Sequence, residues 1–119
     1  MTKDAAALAL IVDGQRVATL ALTATYSGGA HDFQVGARMP GASSAFVGAI
    51  DQVRVWSVAR SPAGIGADAK RRIAPSHAQY ASLSDSWRFD EMDGTSATDD
   101  KGGRWGVIAG ATWVTSTAF

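Results

Sequence analysis

The sequence predicts an all-β fold, an antiparallel β-sandwich carrying one short helix. Three observations lead there. Short apolar-alternating segments recur with turn residues between them. One stretch, Ser61-Pro62 onward, switches to helix-start chemistry. The chain has 119 residues, 46% of them hydrophobic, which fits a single globular domain.

Leu8, Leu10 and Val12 alternate, so residues 7–12 read as a strand. Asp13-Gly14 is a hairpin turn, because Gly accepts the positive φ that a tight turn demands. Arg16 to Thr25 is the return strand, and Ser27-Gly28-Gly29 breaks it. Asp32 to Ala37 reads as a further short strand with Phe33 and Val35 on one face, and Met39 to Ser44 as a loop. In the segment that follows, Val53 and Val55 share a face while Ile50 is one residue out of phase. A β-bulge at Asp51-Gln52 would restore the phase.

Ser61 is a good helix N-cap and Pro62 a good first helical residue, so a helix is predicted over about Pro62–Arg72. Gly64 and Gly66 weaken it, and Lys70, Arg71 and Arg72 suit its C-terminal end. Ala74 to Ser82 reads as a linker. Ser86 to Asp90 is a strand with Trp87 and Phe89 on one face. Met92 to Gly103 is a polar loop, and Trp105–Ala109 and Ala111–Thr115 are two closing strands.

Composition excludes several classes. Eleven basic residues balance eleven acidic ones, which argues against binding nucleic acid by phosphate neutralisation and against adhesion to anionic lipid. With no cysteine there is no disulfide framework, thiolate metal site or Cys nucleophile. No apolar stretch reaches the roughly 20 residues that span a bilayer. The run Ala5–Val12 is too soon broken by Asp13-Gly14 to serve as a secretory signal. No Walker loop, dinucleotide fingerprint, HExxH motif or heptad repeat occurs.

The segments LIVDGQRVA (10–18), FVGAIDQVRVWSVARSPAGI (46–65), SWRFDEMDGTSATDDKGG (86–103) and GATWV (110–114) resemble the laminin-G-like, pentraxin-like group of concanavalin A-like jelly rolls. The resemblance implies two packed antiparallel sheets, an extracellular or cell-surface setting, and recognition of carbohydrate or protein without catalysis. In that group the W-R-F-D-E piece opens the domain and the I-D-x-V-R-V-W piece closes it. Here the order is reversed: residues 1–73 read as a closing half, 74–82 as a linker and 83–119 as opening strands. The central strands are absent. Three explanations stay open: a cut from a tandem array, a permutation, or a sandwich completed by another chain or by self-association.

Candidate site residues follow. His31 and His77 fall in predicted loops and lack a nucleophile elbow beside them, so they read as solvated. Asp90, Asp99 and Asp100, with Asp51 second, are candidate Ca²⁺ ligands, since Ca²⁺ prefers carboxylate oxygen. The acidic loop does not match EF-hand spacing. The resemblance adds to this expectation. Trp56, Trp87 and Trp113 fall at strand positions and read as core. Trp105 follows Gly102-Gly103-Arg104 and reads as exposed, so Trp105 and Arg104 are the candidate ligand contacts. An alternative role is a structural assembly subunit of a particle, fibre or surface layer with no small ligand.

Overall fold

The computed structural model describes residues 1–23, 32–37 and 44–115. Among the described residues all paired strands run antiparallel, and they form sheets of three, two and two strands with one short α-helix. His31, the Ser27-Gly28-Gly29 break, the last two residues of the predicted return strand and most of the Met39–Ser44 loop lie outside the described residues.

The first sheet is built on the expected hairpin. β1 (Thr2–Lys3), β2 (Ala7–Val12) and β3 (Gln15–Ala21) lie in that order. Asp13 and Gly14 take φ of 50° and 75°, both positive, as a two-residue hairpin turn requires. Asp4 shapes the bend before β2: its Oδ1 accepts the N–H groups of Ala6 and Ala7, each at 2.8 Å. Ala9 and Ile11 point to the buried face. The ladder slips between Leu10 and Ile11, leaving Val17 as the extra residue of a bulge on β3.

β4 (Val53–Trp56) pairs with β5 (Leu83–Trp87), so the strand of the first half is completed by a strand of the second. The expected bulge at Asp51-Gln52 lies ahead of the ladder instead of within it: Gln52 takes φ 56° and pairing begins after it, at Val53 opposite Trp87. The irregularity falls instead between Val55 and Trp56. The register also corrects the second strand, expected at 86–90. Pairing ends at Trp87, and Phe89 turns the chain away with φ 57°. β6 (Ser96–Thr98) pairs with β7 (Trp105–Val107), and a bridge from Trp87 to Asp99 fastens this hairpin to β5. β6 lies inside the stretch read as a loop. The predicted strands at 32–37 and 111–115 do not form; Phe33 instead stacks on the Trp87 ring at 5.6 Å.

The helix α1 runs from Pro62 to Asp68 and starts as expected, with Ser61 Oγ accepting the Gly64 N–H at 3.1 Å. It stops four residues short of Arg72 because its last carbonyls are taken from outside. The Arg54 guanidinium, projecting from β4, donates to the Asp68 carbonyl at 2.8 Å and to the Arg71 carbonyl at 2.6 Å. The helix also meets the first hairpin backbone to backbone. A Cβ on Gly14 would sit 3.2 Å from Gly66 Cα.

Among the described residues the buried apolar set is thin: Ala9, Ile11, Leu83 and Ala97. Arg60, Asp68, Asp85, Ser86 and Asp99 are buried beside it, so polar side chains occupy this interior alongside the apolar ones.

Candidate functional site

Two polar constellations grow from this frame. The first sits under α1. Asp68 Oδ2 accepts from Arg60 Nη2 at 2.6 Å and lies 3.1 Å from His77 Nε2, while Arg71 Nε stands 3.6 Å from Oδ1. The Arg60 guanidinium lies 4.0 Å from the Trp56 ring centroid, a cation–π contact. Burial pushes the Asp68 carboxyl up. The Arg60 hydrogen bond, the neighbouring His77 and the charges of Arg60 and Arg71 outweigh burial and hold it below the ordinary carboxylate value.

His77, expected as a solvated loop residue, is thus packed into this network, and the segment read as a linker is fastened to the helix through it. Its Nδ1 accepts the Gln79 N–H at 3.1 Å, which leaves Nε2 to carry the proton toward Asp68. Both ring nitrogens are committed, so the Asp68–His77 couple has no nitrogen left to serve a nucleophile.

The second constellation surrounds a cleft of about 290 Å³ beside the β4–β5 pair. Gln52, Arg72, Tyr80, Arg88, Asp100 and Lys101 supply its polar lining, with Ile73, Pro75 and Leu83 among the apolar contacts. Gln52 is positioned by Arg54, whose Nη2 donates to its Oε1 at 2.6 Å. An ionic chain runs along the rim. Arg72 Nη2 is 2.8 Å from Asp90 Oδ2, Asp90 Oδ2 is 4.0 Å from Arg88 Nε, and Arg88 Nε donates to Asp100 Oδ2. The Asp100 hydrogen bond raises the Arg88 pKa above its usual value, against the smaller effect of burial. Lys101 Nζ lies 4.3 Å from the Tyr80 ring centroid. A neighbouring hollow of about 270 Å³ shares Arg88 and Asp100 with the cleft and adds Asp90, Glu91 and Thr98.

Asp99 holds the loop behind the cleft. It is 2% exposed, and its Oδ1 accepts the N–H groups of Ser86 at 2.8 Å, Lys101 at 2.9 Å and Gly102 at 2.9 Å. Its Oδ2 takes a longer contact from the Arg104 N–H at 3.4 Å. Burial alone would raise its pKa, but these amides lower it. Gly102 is required there, since a Cβ would stand 2.5 Å from Asp99 Oδ2 and 2.7 Å from Asp85 Oδ1.

The four candidate Ca²⁺ ligands can now be placed. Asp90 and Asp100 are brought together, but by the arginine between them. Asp99 is saturated by backbone amides. Asp51 lies half-buried just ahead of β4. Among the described residues no three acidic or His side chains converge as a cation site. Ca²⁺ takes six to eight oxygens, and these residues do not fit it. Arg104 is committed to an ion pair with Asp85. Trp105 is 70% exposed, as expected, and neither of the two lines the cleft. Trp56, Trp87 and Trp113 are half-buried, and Trp113 Nε1 donates to the Gly94 carbonyl at 2.8 Å.

Arg88, Tyr80, Gln52 and Lys101 were not singled out by the sequence. The signal available was charge alone: Arg88 stands among Asp90, Glu91 and Asp100 in an otherwise acidic stretch.

A family model described as the concanavalin A-like lectin/glucanases superfamily matches residues 1–66, more than half of the chain. The chain belongs to the concanavalin A-like lectin/glucanases superfamily. Its domains are generally binding modules, which agrees with a site made of paired polar groups rather than an activated nucleophile. In this lectin/glucanase-type chain the match covers the first sheet, β4 and most of α1, and stops short of the segments that complete the cleft. No curated protein and no solved structure matches the chain significantly.

Proposed function

We propose that the protein is a non-catalytic recognition module, built as a jelly-roll β-sandwich and working outside the cell or at its surface, that takes carbohydrate at the Arg72–Asp90–Arg88–Asp100 cleft. One observation carries this reading. Fixed donors and acceptors alternate along one rim, and an aromatic ring lies beside them. Each sugar hydroxyl both donates and accepts, so vicinal hydroxyls match an alternation of guanidinium and carboxylate. Tyr80 offers an apolar face for a pyranose ring, and the cleft has room for a small saccharide. Trp105, on the neighbouring hairpin, supplies a second exposed ring with Arg104 behind it.

Catalysis is not part of the proposal. A glycosidase needs one carboxyl held protonated in an apolar seat. Asp90 and Asp100 both face Arg88. Nor are nucleic acid or membrane insertion: the charge is balanced, and among the described residues no helix is long and apolar enough to cross a membrane.

The test is a glycan array with the purified chain, followed by titration of the best hit against Arg88→Ala and Tyr80→Ala. Each variant should weaken binding tenfold or more, about 1.4 kcal/mol, with melting temperature little changed. A blank array at high protein concentration overturns the reading. A second reading, a structural assembly subunit with no small ligand, draws on a different observation: every residue of β3 is exposed.

A further inference from the structure

We propose that a second copy of this chain docks on the outer edge of β3, antiparallel and about a two-fold axis at Leu20, so that the two three-stranded sheets become one. Among the described residues β3 is bonded to β2 on one side only. An edge strand presents a row of unpaired N–H and C=O groups, and proteins blunt such edges with lysine, proline, short length or a covering segment. Two of the other edges show these devices. β1 has two residues, one of them Lys3. The outer side of β5 carries the Trp87–Asp99 bridge and the Asp100 N–H bonded to the Ser86 carbonyl.

β3 has one such device, the bulge at Val17, and it protects only the first part of the strand. Beyond it Ala18-Thr19-Leu20-Ala21-Leu22 continues without bulge, Pro, Gly or charge. The Leu22 N–H extends the ladder by bonding the Ala6 carbonyl at 2.8 Å. Leu20 is 63% exposed. By register and alternation it shares a face with Leu8, Leu10 and Ala18, all opposite the buried Ala9 and Ile11.

The segment is complementary to itself, which is why the occupant is a second copy. Paired antiparallel about Leu20, Leu20 meets the partner's Leu20, Thr19 meets the partner's Ala21, and Ala18 meets the partner's Leu22. No charge faces a like charge, and leucines lie against leucines across the axis. The chain's zero net charge adds no long-range repulsion between copies. A closed two-fold pairing also uses up both edges, so the contact ends at a dimer and does not propagate. The pairing is independent of what the cleft binds.

Because the chain has no cysteine, single-cysteine variants report the register cleanly. Facing residues of an antiparallel pair have Cα atoms about 4.5–5.5 Å apart, within the roughly 4.4–6.8 Å a disulfide spans. Leu20→Cys should therefore oxidise to a covalent dimer. Ala18→Cys should not, because its symmetry mate lies four residues along, about 14 Å away. Sedimentation velocity should show the unmodified chain passing from monomer to dimer as concentration rises. Leu20→Lys, which sets two ammonium groups at the axis, should remain a folded monomer by circular dichroism. A chain that stays monomeric throughout its soluble range overturns the proposal. So does equal cross-linking of both cysteine variants, or a dimer that survives in Leu20→Lys.

Discussion

Replacing Asp99 tests whether one carboxylate organises the second half of the chain. In Asp99→Ala three good hydrogen bonds disappear together, from Ser86, Lys101 and Gly102. The Ser86 N–H is buried and loses its only charged acceptor, a cost of about 2 kcal/mol. The Lys101 and Gly102 amides are part-buried and regain water, so each costs about 1 kcal/mol. The sum is about 4 kcal/mol, a large share of the roughly 5–15 kcal/mol that stabilises a small domain. Asp99→Asn keeps an acceptor oxygen for the same three amides but gives up the charge, and should cost about 1–2 kcal/mol.

The assay is urea unfolding followed by tryptophan fluorescence, read as a shift in midpoint at constant slope. Acid adds a second readout. The folded-state pKa of Asp99 lies below its ordinary 3.8, so its stabilisation is complete above that value. It is lost as pH falls through the lower folded value. Asp99→Asn should therefore lose less stability between neutral and strongly acidic pH than the wild type does. An alanine variant that costs under about 1 kcal/mol, or an asparagine variant as acid-sensitive as wild type, would refute the reasoning.

Two more outcomes follow from the site. Arg60→Ala strands the buried Asp68 carboxylate and should cost about 3–5 kcal/mol, whereas Arg60→Met combined with Asp68→Leu should cost less than either single change; urea melts of the three variants check this, and an additive double variant contradicts it. Melting temperature should not move with millimolar Ca²⁺ or with chelator, because Asp90, Asp99 and Asp100 are committed to arginines and amides; a rise with Ca²⁺ that chelator reverses would restore the metal site.

The parts of the fold legible in the sequence are those fixed by neighbours in the chain. The hairpin at Asp13-Gly14 and the helix start at Ser61-Pro62 depend on local φ and local capping, and both stand where the residues put them. The helix end was not legible, because Arg54, far back in the chain, takes its carbonyls. The strand at Ser86–Asp90 was misplaced because Trp87 and Phe89 alternate like strand residues, while the register against Val53 ends the pairing at Trp87. β6 is three residues inside a run of Asp, Thr and Gly, too short for any period to show. The candidate site follows the same division. Asp90 and Asp100 could be picked out as acids, but their partners Arg72 and Arg88 arrive through tertiary structure, and the chemistry changes from cation binding to ion pairing. His77 could not be read as packed into a network, because Asp68, its partner, lies nine positions earlier across a turn.

The pairing of β4 with β5 also sets a timetable for synthesis. Leu83 follows Trp56 by 27 positions (83 − 56), so at about 5–20 residues per second β4 waits roughly 1–5 s for its partner. The hairpin of β2 and β3 needs no such wait, since two residues join its strands. A nascent chain thus carries one finished sheet and one orphan strand, Val-Arg-Val-Trp, with both edges open. That interval leaves Val-Arg-Val-Trp exposed to aggregation, and is when a ribosome-bound chaperone would have this strand to cover.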